Sequence, residues 1–92
     1  KAALLSADEY VLAGGGLGST VNNYLVKADS SWWTMSPAFF NGNADVDYVD
    51  SDGLLSSYNV NGTDALRPVI TLKATTSISS GSGTSTDPYV IR

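Results

Sequence analysis

The sequence predicts a small α+β domain in which a short N-terminal helix packs on a twisted, mostly antiparallel sheet with long loops. Three observations carry that prediction. Ser6-Ala7-Asp8-Glu9 matches the capping box that opens a helix. Residues 44–50 alternate in polarity with a period of two and run into Asp52-Gly53, a two-residue hairpin signal. Arg67-Pro68 leads into Val69-Ile70-Thr71-Leu72, a run of strand formers.

Ninety-two residues make one domain, read as 1–92, with little capacity to bury a large core. The chain holds no Cys and no His, so it has no disulfide, no thiolate and no imidazole base. Nine acidic and five basic side chains give a net charge of −4, and no Lys or Arg lies between Lys27 and Arg67. Such a surface repels phosphate backbones, which excludes nucleic acid as the expected partner. No apolar run reaches the ~18–20 residues of a membrane span, so no membrane contact is expected of this segment. Few charges with abundant Ser, Thr, Asn and Gly point to an extracellular, cell-surface setting.

The elements follow in order. Ala2-Ala3-Leu4-Leu5 is an apolar run of strand length. In the capping box, Ser6 should accept from the Glu9 amide and Glu9 should reach back to the Ser6 amide, with Leu5 and Tyr10 as the hydrophobic staple. A helix of about two turns ends at Gly14-Gly15-Gly16, read as a flexible cap and loop. Tyr24-Leu25-Val26 is a further strand candidate.

Residues 31–72 are the block around which the rest is organised, with both tryptophans and both phenylalanines. Trp32-Trp33-Thr34-Met35 reads as a strand that sets one tryptophan in the core and the other on the opposite face. Ser36-Pro37 is expected to stop it, leaving residues 38–43 as a loop that carries Phe39-Phe40 and the turn formers Asn41-Gly42-Asn43. On the alternating strand, Val46 and Tyr48 face one side, and Asp45, Asp47 and Val49 the other. Residues 54–60 return as its hairpin partner, and Pro68 opens the next strand, where a missing amide donor is tolerated. Residues 77–86 read as a loose low-complexity loop, and Tyr89-Val90-Ile91 as a last short strand.

The order of these pieces carries a resemblance. A Trp-Trp-x-x-Ser-Pro segment, an aromatic strand into Ser-Asp-Gly, a Leu-x-x-Tyr-Asn-Val-Asn strand and Arg-Pro-Val-Ile-x-Leu resemble a family of small bacterial surface domains. Those domains are related to the C-type-lectin-like and formylglycine-generating-enzyme-like fold. The ending at residues 81–91, Gly-x-Gly-Thr followed by Pro-Tyr-x-Ile, is similar to tails seen in that family. The resemblance implies a compact α+β domain on a bacterial surface, sometimes at the C-terminus of prepilin-like proteins. It implies no activity, because the enzymes of this fold need cysteines or metal-ligand sets that this chain lacks.

Candidate chemistry is therefore binding rather than catalysis. The aspartates at 45, 47, 50 and 52 offer oxygen ligands of the type Ca²⁺ takes. An EF-hand register fails, since Tyr48 falls at its first ligand position and Asn59 at its last. A loop-borne Ca²⁺ site at Asp50 and Asp52 stays open as an alternative, and no other cofactor is expected. Paired carboxylates could serve a glycosidase, but exposed strand aspartates in so small a domain offer no cleft, and no enzyme is expected. Trp33, Phe39, Phe40, Asn41 and Asn43 are the ligand-binding candidates, as rim aromatics beside amides suited to a glycan or a surface protein. Arg67 is expected to form an ion pair or clamp a carbonyl. Two alternatives accompany a non-catalytic head or binding domain. One is a filament subunit self-assembling through the edge strands at residues 2–5 and 89–91. The other is a Ca²⁺-dependent carbohydrate-binding module.

Overall fold

In the computed structural model, residues 2–16 and 28–92 are described. The elements are β1 (Ala2–Leu4), α1 (Ala7–Leu12), β2 (Trp32–Phe40), β3 (Ala44–Val49), β4 (Leu55–Asn59), β5 (Pro68–Ile70), β6 (Ile78–Ser80) and β7 (Val90–Ile91). The strand expected at Tyr24-Leu25-Val26 lies outside the described residues. The chain is β-rich and its ladders are antiparallel, but the strands divide among three small sheets instead of forming one. These are the pair β1–β5, the meander β2–β3–β4 and the pair β6–β7.

The helix forms as its sequence dictates. Ser6 Oγ accepts from the Glu9 amide at 3.2 Å, and Glu9 Oε2 accepts from the Ser6 amide at 3.0 Å. Leu5 packs against the cluster that contains Tyr10, completing the staple. At the other end the glycines are not a slack loop. Gly14 takes φ +94°, its amide donates to the Val11 carbonyl, and the Gly15 amide donates to the Tyr10 carbonyl. That is the Schellman closure, which needs the left-handed region at its first residue. Gly15 is fixed by space, because a Cβ there would lie 2.2 Å from Cε1 of Tyr10. Gly16 then bridges to Leu54, and its carbonyl accepts from the Leu55 amide. The glycine run thus lays the end of α1 directly against the β3–β4 hairpin.

The core is small: Tyr10, Trp32 and Val49 are buried, with Leu5, Ala28 and Leu55 packed around them. Tyr10 and Trp32 meet edge to face at 5.7 Å. The Tyr10 hydroxyl donates to the Gly53 carbonyl at 2.5 Å, tying the helix to the hairpin turn. Burial pushes the Tyr10 phenol above its ordinary value; Asp50 adds to the shift, and the Gly16 backbone and Arg67 oppose it. The Arg67 guanidinium lies 5.3 Å from the centroid of the Trp32 ring. Among the described residues this cation–π contact stands in place of the expected ion pair or carbonyl clamp, and Arg67 Nη1 and Trp32 Nε1 are buried without a hydrogen-bond partner there.

Ser36-Pro37 does not stop β2. The strand runs through to Phe40 with register shifts between Trp33 and Pro37 and between Pro37 and Phe40. A bulge is where a strand accepts a residue with no amide donor. Hydroxyls serve the interrupted stretch: Thr34 Oγ1 donates to the Asp47 carbonyl at 2.6 Å, and Ser36 Oγ accepts from the Ala7 amide at 2.9 Å. Phe39 and Phe40 therefore belong to a strand, and the connection shrinks to Asn41-Gly42-Asn43.

The low-complexity stretch is also more ordered than its composition suggests. Ile78–Ser80 pairs with Val90–Ile91, and the amides of Ser82, Gly83 and Thr84 all donate to the Asp87 carbonyl. The Asp87 carboxylate accepts from the Ser82 amide as well, at 2.9 Å.

Candidate functional site

Register sorts the side chains of the meander onto two faces. Trp32 pairs with Val49, and Val49 with Leu55, so these share the face that packs on α1. Asp47, two residues before Val49, and its partner Ser57 lie on that same face beyond the core. Trp33 pairs with Tyr48, Pro37 with Val46, Val46 with Tyr58, and Phe40 with Ala44, which puts all of them on the opposite face.

That opposite face carries a row of rings spanning all three strands. Trp33 and Tyr48 meet edge to face at 6.3 Å, and Tyr48 meets Tyr58 in the same way at 6.3 Å. Trp33 and Tyr48 are half-buried, Tyr58 is 54% exposed and Phe40 is 76% exposed. The Tyr58 ring lies over the following turn, where a Cβ on Gly62 would come within 2.5 Å of it. By register, among the described residues of the three strands no charged one stands on this face. The core face, in contrast, opens past Leu55 into a groove of ≈ 400 Å³ lined by Phe39, Asp47, Leu55 and Ser57, with Ala38 and with Pro37 and Ser56, which register turns to the other face, completing its lining. Burial holds the Asp47 carboxyl above the ordinary range for aspartate.

The ligand candidates read from the sequence are therefore not one cluster. Phe39, Phe40, Asn41 and Asn43 gather at the β2–β3 turn, but Phe39 lines the groove while Phe40 lies on the aromatic face. Trp33 stands seven residues from Phe40 along β2, roughly 20 Å away at ~3.3 Å per residue. So short a chain needs aromatic side chains in its core. Of the described ones, only Tyr10 and Trp32 are fully buried.

Asp50 and Asp52 sit in the β3–β4 turn. Asp50 Oδ1 accepts from the amides of Asp52 and Leu54, each at 2.9 Å, so this oxygen closes the turn. Among the described residues no group of three or more acidic side chains is gathered closely enough to hold a metal ion. Sequence reasoning did not single out Asp47 and Ser57 as a pair. Their signal was an aspartate on the same strand face as the core residue Val49.

The architecture defines a small β-rich domain whose central sheet is covered on only part of its surface. The chain belongs to the DUF6273 family, a domain of unknown function, whose family model matches residues 4–74. The β6–β7 hairpin lies beyond that match. No curated protein and no solved structure matches the chain.

Proposed function

We propose that the chain is a non-catalytic extracellular binding domain of a bacterial surface or pilus-like protein, built on a C-type-lectin-like plan. The observation that carries this reading is the uncharged aromatic row of Trp33, Tyr48 and Tyr58 on the sheet face turned away from the core. Rings exposed in this way forgo burial that a small domain needs for stability, which singles out a surface kept for a ligand. Edge-to-face bracing fixes the rings in advance, so little side-chain entropy is lost when a glycan or a protein surface docks. The weakly charged composition supports a cell-surface setting, and the absence of His and Cys from these residues supports a binding role.

The test is retention of the 92-residue chain on arrays of bacterial glycans and surface proteins. Binding that falls about tenfold or more in Tyr58→Ala, with an unchanged melting temperature, supports the reading. No retention on either array refutes it, and binding that survives loss of both Trp33 and Tyr58 refutes the aromatic row as its surface.

A second reading rests on the edges of the small sheets. β1 and β7 each pair on one side only, and Ile70, Ile78, Val90 and Ile91 beside them are exposed. Such edges can add to a neighbour's sheet and build a filament. Light scattering across a concentration series separates the two: growth in size favours assembly, and a monomer throughout refutes it.

A further inference from the structure

We propose that the groove between β2 and β4 is a calcium-independent saccharide site. Phe39 would stack on the apolar face of a pyranose ring, and the Asp47 carboxylate would accept from its hydroxyls. The proposal rests on the binding-domain reading and gives it a ligand class and a location on the opposite side of the sheet from the aromatic row.

Three observations carry it. Asp47 breaks the pattern of its strand, since it shares a face with the core residue Val49 where an apolar side chain would serve packing. Among the described residues, the half-buried Asp47 carboxylate has no hydrogen-bond or ion-pair partner. Partial burial of an uncompensated carboxylate is unfavourable, and local rules broken without visible compensation mark functional positions. Its backbone, meanwhile, is held in place, because the Thr34 hydroxyl binds the Asp47 carbonyl and Thr34 itself is buried.

The second observation is what faces this carboxylate across the groove. Phe39, 54% exposed, offers a ring of purely apolar character. Ser57 stands directly across the strand pair from Asp47 and lines the groove, giving a hydroxyl that can donate or accept. The third is size: ≈ 400 Å³ admits one or two sugar rings.

This combination matches a pyranose, which has C–H groups on its faces and hydroxyl donors around its edge. An ammonium ion would also be attracted to a ring beside a carboxylate. Quaternary ammonium recognition, however, uses a cage of several rings, and among the described residues Phe39 is the single aromatic lining this groove. Calcium is not required, because the carboxylate receives the hydroxyl protons directly.

The test is a nuclear magnetic resonance titration of the ¹⁵N-labelled 92-residue chain in the presence of EDTA. The probes are soluble oligosaccharides of glucose, galactose, mannose and N-acetylglucosamine, with choline chloride as a separate arm. At least one oligosaccharide should give saturable shifts centred on Phe39, Asp47, Ser56 and Ser57. Phe39→Ala and Asp47→Asn should each weaken that binding by about tenfold, the scale of one hydrogen bond to a charged group. Phe40→Ala, on the other face, should leave it within about twofold. Amide spectra of each variant report whether the fold is intact. Saturable shifts from choline alone, or no saccharide response up to about 20 mM, overturn the proposal. Saccharide shifts centred on Trp33, Tyr48 and Tyr58 overturn the groove but leave the binding-domain reading standing.

Discussion

Replacing Tyr10 by Phe isolates one atom on which the described architecture converges. The Tyr10 side chain is fully buried, packs edge to face on Trp32 and donates its hydroxyl to the Gly53 carbonyl. Phenylalanine keeps the ring and the Trp32 contact, so the apolar burial is unchanged. What is lost is the donor to the carbonyl of Gly53, a buried residue. Leaving a buried acceptor unsatisfied costs about 1–3 kcal/mol. For a domain of this size about 1 kcal/mol corresponds to ~4–8 °C in melting temperature, so a loss of about 2 kcal/mol predicts a fall of ~8–16 °C. Thermal unfolding followed by near-ultraviolet circular dichroism, which reports Trp32 packing, is the assay.

The same substitution has an alkaline signature. Burial raises the Tyr10 phenol pKa in the folded chain, so above the unfolded value of ~10 the unfolded state releases its proton first. The stability this contributes is complete below that pH and declines as pH rises through the folded value. Tyr10→Phe should remove that decline. A melting temperature within about 2 °C of wild type at pH 7 would refute the assignment of the hydroxyl as the clasp between helix and hairpin.

Three further predictions concern the carboxylates. Asp50→Ala removes the acceptor for two turn amides and should cost about 1–2 kcal/mol, seen as a lower denaturant midpoint with an unchanged slope. Wild-type melting should stay the same in Ca²⁺ and in EDTA, and a rise with Ca²⁺ would revive the metal site at Asp50 and Asp52. Asp47, whose pKa is raised by burial, binds its proton more readily folded than unfolded, so its contribution declines as pH rises through the interval above ~3.9. Asp47→Asn should flatten that part of the stability profile and leave the chain as stable as wild type or more so at pH 7. A destabilised variant would point to an unrecognised partner for this carboxylate.

The features legible in the sequence are those in which the deciding partner lies a few residues away. The capping box needs only Ser6 and Glu9, and both of its bonds are present. The Asp52-Gly53 turn, the alternation of residues 44–49 and the start of β5 at Pro68 are local in the same sense. Even the division of labour between the tryptophans follows from a period of two, with Trp32 buried and Trp33 on the other face.

What the sequence did not disclose depends on partners far along the chain. Pro37 ends a strand only if its neighbours need its amide, and here the bulges and the Thr34 hydroxyl, which donates to the Asp47 carbonyl, meet that need. The glycines after α1 read as slack until the Tyr10 ring, pinned by Gly53 and Trp32, occupies the space a Cβ at Gly15 would need. The site divides for the same reason. Phe39 and Phe40 are adjacent in sequence, yet the register of β2 against β3 sends one to the groove and the other to the aromatic face.

By itself, then, the sequence determined the β-rich, antiparallel character, the helix with its cap and the alternation of the central strands, because hydrogen bonds and periodicity over a few residues set these. Only the tertiary structure decided that the strands form three small sheets, that Arg67 lies over Trp32 and that Asp47 faces Ser57 in an open groove. Those outcomes depend on long-range pairing and on shared space, which no stretch of a few residues encodes alone.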